Sequence, residues 1–200
     1  MKIVNTKELP LPGVHVIEFG RFRDARGYFT EPFRASDLEA LPFLGKAFQV
    51  KQSNESFSQK GVVRGLHFQW NPHMGKLIRT VRGHMLDIVL DIRKGSPTFG
   101  KGIVHDMPAG VKGQSGEWIW VPPGFAHGNA FLEDTVIEYF CTGEYSPGNE
   151  GCISPLASDI DWSLAEPATL GRLRALLGGK CIMSDKDRNG LSVKGWAGGE

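Results

Sequence analysis

The residue pattern predicts an all-β fold, a sandwich or closed barrel with a few short peripheral helices. Short runs rich in Val, Ile and aromatic residues recur along the chain. The 26 Gly and 12 Pro are scattered between them as turn punctuation rather than gathered into a low-complexity tract. Helical periodicity is confined to a few places. The first strand, residues 13–19, carries Val14, Val16, Ile17 and Phe19. Residues 77–81 and 85–92 flank Arg82-Gly83-His84, a natural hairpin position because Gly accepts a positive φ. Residues 117–121 end at Pro122-Pro123-Gly124, a rigid turn signal. Residues 128–132 and 135–141 are separated by Glu133-Asp134, which reads as a second hairpin. Strands at this spacing with Gly and Pro corners are the pattern of a sandwich or barrel. Ser36-Asp37-Leu38-Glu39-Ala40-Leu41 reads as a short capped helix. Leu164, Leu170, Leu173, Leu176 and Leu177 stand at roughly helical spacing before Gly178-Gly179, with Pro167 near the start, where Pro is tolerated. Residues 194–200 read as a frayed tail. No repeat or linker divides the chain. A single domain over residues 1–200 is expected, its core at about 13–162 and a C-terminal helix and active-site segment at 163–190.

Two hundred residues suffice for one domain with a proper core. The formal net charge of +1 gives no support to a nucleic-acid or polybasic membrane role. No apolar run approaches the roughly 18 residues of a spanning helix, and Met1-Lys2-Ile3-Val4-Asn5-Thr6-Lys7 lacks the apolar core of a signal peptide. Cys141, Cys152 and Cys181 are odd in number and form no CxxC pair, so they read as reduced thiols in a cytoplasmic protein.

The densest chemistry lies in Arg64-Gly65-Leu66-His67-Phe68-Gln69-Trp70-Asn71-Pro72-His73-Met74-Gly75-Lys76. A further His stands in Val121-Pro122-Pro123-Gly124-Phe125-Ala126-His127-Gly128, at a turn leading into a strand. An all-β chain with His in two such places has the outline of a cupin barrel, whose His residues often hold a metal. A divalent site wants three or four converging ligands. His67 and His73 stand six apart with no carboxylate between them, so no metal site is assigned. His15, His73, His84 and His105 read as surface or loop residues.

Seven separated segments stand in a telling order: Asp24-Ala25-Arg26-Gly27-Tyr28-Phe29-Thr30-Glu31, Gln52-Ser53-Asn54, Val63-Arg64-Gly65-Leu66-His67-Phe68-Gln69, Gly75-Lys76-Leu77-Ile78-Arg79, Asp91-Ile92-Arg93-Lys94-Gly95-Ser96-Pro97-Thr98-Phe99-Gly100, Pro123-Gly124-Phe125-Ala126-His127-Gly128 and Ser184-Asp185-Lys186-Asp187. Each alone is weak. Together, over about residues 13–187, they make the chain resemble the dTDP-4-dehydrorhamnose 3,5-epimerase family, cupin-type enzymes that need no metal or other cofactor. The resemblance implies a cupin-type jelly-roll barrel, a homodimer paired through its sheets, and 3,5-epimerisation of a dTDP-4-keto-6-deoxyhexose.

The physical logic of that reaction agrees with the residues. A ketone at C4 acidifies the hydrogens on C3 and C5. Inversion then needs a base on one face, a stabiliser for the enolate oxygen and an acid on the other face. By the resemblance, His67 is the base, since imidazole titrates near working pH. Asp187 fixes its tautomer from 120 positions downstream, and Lys76 steadies the enolate. The acid is a Tyr. Counting back from Ser146-Pro147 gives Tyr139, provided the Glu133-Asp134 turn is one residue short; counting forward from His127 gives Phe140. Turns absorb deletions more easily than strand interiors, which favours Tyr139. Arg26 and Arg64 match positions that meet the diphosphate, a task suited to guanidinium groups. Glu31, Gln52, Asn54, His127, Glu150 and Lys186 match further substrate-contacting positions, and Tyr145 is placed to stack on the base.

The chain departs from the family pattern at Ser53 and Glu55, around Asn54, and at Phe140, where a Lys often follows the acid; these substitutions are expected close to the pocket. Competing readings are a single-centre 3- or 5-epimerase, a metal-dependent cupin and a non-catalytic nucleotide-sugar-binding barrel.

Overall fold

Residues 1–45 and 48–199 are described by a computed structural model. The chain forms β1 (Ile3–Glu8), β2 (His15–Gly20), β3 (Phe22–Asp24), β4 (Gly27–Phe29), α1 (Ala35–Glu39), β5 (Gln52–Ser58), β6 (Val63–Gln69), β7 (Lys76–Arg82) and β8 (His84–Asp91). It continues through β9 (Gly102–Pro108), β10 (Ser115–Val121), β11 (Phe125–Phe131), β12 (Thr135–Cys141), β13 (Glu150–Cys152), α2 (Pro167–Leu177), α3 (Asp185–Arg188) and α4 (Val193–Gly198). One sheet has the order β1-β2-β10-β7-β12-β5 and the facing sheet β13-β6-β11-β8-β9, with β3-β4 a separate ribbon. From β5 to β8, and again from β9 to β13, the chain changes sheet at every step. This is the cupin-type jelly roll.

That topology corrects two expectations. The turns at Gly83 and at Glu133-Asp134 are not hairpins: β7 and β8 lie in different sheets, as do β11 and β12. Turn residues specify that the chain reverses, not whether it returns beside itself or crosses to the facing layer. Gly83, at φ 87°, is required at this crossing. A Cβ there would stand 2.5 Å from Asp134 O and Thr135 Oγ1, so the two crossings pack on each other. The His84 N–H donates to Thr135 Oγ1 at 3.1 Å and joins them.

Apolar residues fill three layers. Between the sheets lie Val16, Ile78, Val89, Ile119, Phe131 and Ile137. The outer face of the six-stranded sheet carries Ile17, Phe19, Leu77, Trp118 and Trp120, covered by Leu38, Leu44 and Phe48 from the segment around α1. The outer face of the five-stranded sheet carries Leu66, Leu86, Ile88 and Leu90, covered by Leu170 and Leu173 of α2 and Val193 of α4. A strand buried on both faces reads as a continuous apolar run. Seven of the eight residues of β8 are buried accordingly, Asp87 and Asp91 among them.

Asp91 closes the loop that follows. Its carboxylate accepts from Ser96 Oγ at 2.7 Å, Thr98 Oγ1 at 2.6 Å and Arg93 Nη2 at 2.8 Å. Burial works to raise its pKa, but the bonds from Arg93, Thr98 and Ser96 prevail and lower it to about 2. This accounts structurally for the Asp91–Gly100 motif.

The helices begin where the chain supplies acceptors. Glu166 caps α2, accepting from Ala168 N and Thr169 N, and Pro167 holds the first helical position. Leu164 lies before the helix. Ser36 sits inside α1, and no side chain caps that helix. The supposed tail is also ordered: Ser192 caps α4, Trp196 donates to Ile92 O at 2.9 Å, and its ring meets Phe68 at 4.6 Å. The buried Val193 and the packed Trp196 ring outweigh a glycine-rich composition there. Glu200 lies outside the described residues.

Leu173 is 1% exposed and plugs α2 into the outer core. Leu173→Ala should lower stability by about 2–5 kcal/mol in urea unfolding. A loss below about 1 kcal/mol would show that α2 is not a packed layer.

Candidate active site

Strand alternation directs polar side chains into one end of the space between the sheets. Gln52, Asn54 and Ser56 point inward from β5, Lys76 from β7, and Tyr139 and Cys141 from β12. From the facing sheet come His67 and Gln69 of β6 and His127 and Asn129 of β11. They line a cleft of about 280 Å³ adjoining one of about 180 Å³, with His67, Lys76 and Tyr139 common to both.

His67 is central. Its Nε2 lies 2.5 Å from Asp187 Oδ1, and Nδ1 has no hydrogen-bond partner among the described residues. With Nε2–H donating to the carboxylate, the lone pair is on Nδ1. Asp187 is held by its backbone: its N–H donates to Ser184 Oγ at 3.1 Å at the start of α3, and the residue is 5% exposed. Burial lowers the His67 pKa, and the charges of Lys76 and Lys186 add to this; Asp187 opposes without prevailing. The imidazole is therefore neutral at neutral pH.

Lys76 opens β7. The preceding Gly75 lets the Trp120 ring approach: a Cβ at Gly75 would lie 2.4 Å from Trp120 Cη2. Among the described residues the ammonium forms no hydrogen bond or ion pair. Burial lowers its pKa, while the charges of Cys141, Asp87 and Glu150 work against that shift. Tyr139 stands on the wall opposite His67, and burial raises its phenol, which stays protonated. Phe140 points the other way, into the outer core, with its ring 5.1 Å from Trp118 and 4.9 Å from Phe33. Ser53 and Glu55 likewise lie on the exposed face of β5. The expectation that these three substitutions adjoin the pocket is corrected: each is one residue out of phase with a cleft-lining neighbour.

The other expected binding residues divide into two groups. Gln52 Nε2 donates to Asn54 Oδ1 at 2.9 Å, and Gln52 Oε1 accepts from Tyr145 N at 2.8 Å. Glu150 accepts from Tyr145 Oη at 3.0 Å and from Lys186 Nζ at 2.6 Å, forming one rim. Arg64 stands on another side, its Nε donating to Ser58 Oγ at 2.9 Å. Arg26 and Glu31 do not join them. Arg26 projects from the β3-β4 ribbon, 90% exposed and 2.6 Å from Asp24 Oδ2, while Glu31 pairs with Arg34 at 2.6 Å and with the Met1 amine.

Sequence reasoning missed two residues that lie beside the site. Asp87 is fully buried beneath the cleft. Its Oδ2 meets His127 Nε2 at 2.8 Å and Asn129 Nδ2 at 3.0 Å, and its Oδ1 has no hydrogen-bond partner among the described residues. An acid in the middle of the apolar run of residues 85–92 was the available signal, because buried carboxylates need a reason. Cys152 pairs in register with His67 across β13 and β6, its Sγ 3.8 Å from Asp187 Oδ1. Burial and the Asp187 charge raise this thiol to about 12. Nothing in its sequence context marks it.

A family model described as dTDP-4-dehydrorhamnose 3,5-epimerase matches residues 8–194. The dTDP-4-dehydrorhamnose 3,5-epimerase of Shigella flexneri is 37% identical over 194 residues, 95% of this chain and 94% of that protein. The crystal structure of the Legionella pneumophila dTDP-6-deoxy-D-glucose-3,5-epimerase, in complex with dTDP-4-keto-L-rhamnose, superposes with a TM-score of 0.79. It is 32% identical and covers 95% of this chain and 93% of that one. A 3'-monoepimerase from Streptomyces bikiniensis in complex with dTDP-quinovose gives a TM-score of 0.75 at 28% identity, covering 94% and 88%.

The depressed His67 pKa fixes a pH dependence. Below its pKa the imidazole carries a proton and cannot act as a base. The acid limb of kcat/KM should therefore fall below the ordinary histidine value of about 6.5. A limb above that value would show that Asp187 outweighs burial.

Proposed function

The chain belongs to the dTDP-4-dehydrorhamnose 3,5-epimerase family, and we propose that its cleft carries out that epimerisation with His67 as base, Lys76 as enolate stabiliser and Tyr139 as acid. The observation that carries these roles is the placement of an imidazole and a phenol on opposite sheets, facing one cleft, with an ammonium between the same walls. His67 Nδ1 takes the proton from C3 or C5, and the C–H electron pair moves into the ring as the C4 oxygen becomes an enolate. Lys76 stabilises that oxygen, most strongly where water is excluded. Tyr139 delivers a proton to the opposite face of the same carbon, inverting it. The phenolate then regains a proton while His67 releases the one it took. Repetition at the second carbon completes the reaction.

Gln52, Asn54, Arg64, His127, Tyr145, Glu150 and Lys186 surround this centre and are assigned to the nucleotide-linked sugar. Arg64 suits the diphosphate and Tyr145, 54% exposed at the rim, suits the base. A homodimer belongs to the same proposal. The β3-β4 ribbon holds out Phe22, Tyr28 and Phe29, the last 68% exposed, with Arg26 at its tip. A second copy that covered this apolar ribbon would bring Arg26 and Glu31 to its own cleft. Among the described residues no helix is long and apolar enough to cross a membrane.

Two variants separate the roles. In heavy water, His67→Ala should abolish deuterium incorporation at C3 and C5. Tyr139→Phe should retain exchange by His67 while net inversion falls by about 10²-fold or more. NMR of the recovered sugar checks both. Full exchange in His67→Ala, or undiminished inversion in Tyr139→Phe, would remove the corresponding role. Light scattering should give twice the chain mass, and Phe29→Asp should halve it while raising KM. A wild-type monomer with normal KM would refute the shared site.

A further inference from the structure

Behind the imidazole lies a cluster that the epimerisation does not use as a cluster. His67, Cys152 and Asp187 each bring a ligand atom within 4.8 Å of the others, and Asp187 Oδ1 lies 2.5 Å from His67 Nε2 and 3.8 Å from Cys152 Sγ. They come from β6, β13 and α3, and β13 and β6 pair so that Cys152 stands directly opposite His67. Cys152 and Asp187 are buried, leaving His67 as the member open to the cleft.

We propose that this cluster is an inhibitory site for a thiophilic divalent cation, with Zn²⁺ the ion of the fitting class. Imidazole nitrogen, thiolate sulfur and carboxylate oxygen form a mixed set that suits zinc, whereas Mg²⁺ and Ca²⁺ prefer oxygen alone. Zinc bond lengths of about 2.0–2.3 Å in a tetrahedron set neighbouring ligand atoms about 3.3–3.7 Å apart. Cys152 Sγ and Asp187 Oδ1 stand at 3.8 Å. His67 Nε2 and Asp187 Oδ1, at 2.5 Å, must part by less than an ångström as the ion replaces the proton between them. The carboxylate that moves belongs to a single-turn helix, α3, and not to a sheet. Three protein ligands leave one position for water.

The consequence for the base follows from proton bookkeeping. Binding the ion at Nε2 displaces the proton held there, which passes to Nδ1 and keeps the imidazole neutral. The Cys152 thiol releases its proton to solvent. The two charges of the ion are then balanced by the thiolate and the Asp187 carboxylate, and no electron is transferred. Nδ1, the nitrogen that otherwise carries the open lone pair, becomes an N–H and can no longer accept a proton. A bound cation therefore stops catalysis without touching the substrate pocket itself.

Co²⁺ provides a probe independent of activity, because thiolate ligation gives a charge-transfer band in the near ultraviolet. Titrating the purified full chain with Co²⁺ should develop that band to one equivalent, with Zn²⁺ bleaching it and Mg²⁺ leaving it unchanged. Cys152→Ala should lose the band although Cys141 and Cys181 remain. It should also keep wild-type epimerase activity without metal, within about twofold, and need at least about tenfold more Zn²⁺ for half-inhibition. His67→Ala, read by Co²⁺ absorption alone, should need at least about tenfold more Co²⁺ for half-saturation, which covers the case in which Cys152→Ala does not fold. Absence of the band in the wild type, its persistence in Cys152→Ala, or unchanged Co²⁺ affinity in His67→Ala would overturn the proposal.

Discussion

An imidazole at the wall of an open cleft serves as a base only if it is neutral and its proton is held on the far side. In this chain the 2.5 Å contact between His67 Nε2 and Asp187 Oδ1 meets the second need, while burial, prevailing over the pull of that carboxylate, meets the first. The contact directs the ring and leaves the Nδ1 lone pair toward the cleft. Everything else at the centre is arranged around that constraint. Ser184 fixes Asp187 through its backbone, β6 presents the ring, and the surrounding burial keeps it unprotonated. A more exposed ring beside the same carboxylate would hold its proton at neutral pH and be useless as a base.

The sandwich makes this affordable by giving each sheet one wall of the cleft. Apolar side chains fill the middle of the intersheet space, and the polar ones gather at one end. There His127 and Asn129 both meet Asp87 Oδ2, while the fully buried Asp87 adds negative potential beneath Lys76. Burying a carboxylate without partners costs several kcal/mol. Pairing one of its oxygens with His127 Nε2 and Asn129 Nδ2 keeps the floor of the cleft polar.

Much of this was legible in the sequence, and the failures share a physical cause. The motifs around His67, Lys76 and Asp187 led to residues that meet in the fold. The choice between Tyr139 and Phe140 required only the placing of one deletion in a turn, since strand periodicity then sends one ring to the cleft and its neighbour to Trp118. What could not be read were relations between layers. Gly83 and Glu133-Asp134 announce reversals but not sheet changes. Ser53 and Glu55 are near Asn54 in sequence and behind it in space. Arg26 and Glu31 lie in a motif shared with the family yet stand away from the cleft of their own chain. Cys152 owes its position wholly to the pairing of β13 with β6, strands some eighty residues apart.

The protonation state of His67 is the most direct object of measurement. Nitrogen-15 NMR of labelled protein at neutral pH, assigned with His67→Ala, should show a neutral ring with its proton on Nε2, shifted far downfield by the carboxylate, and a bare Nδ1. An imidazolium, or a neutral ring protonated on Nδ1, would contradict the account.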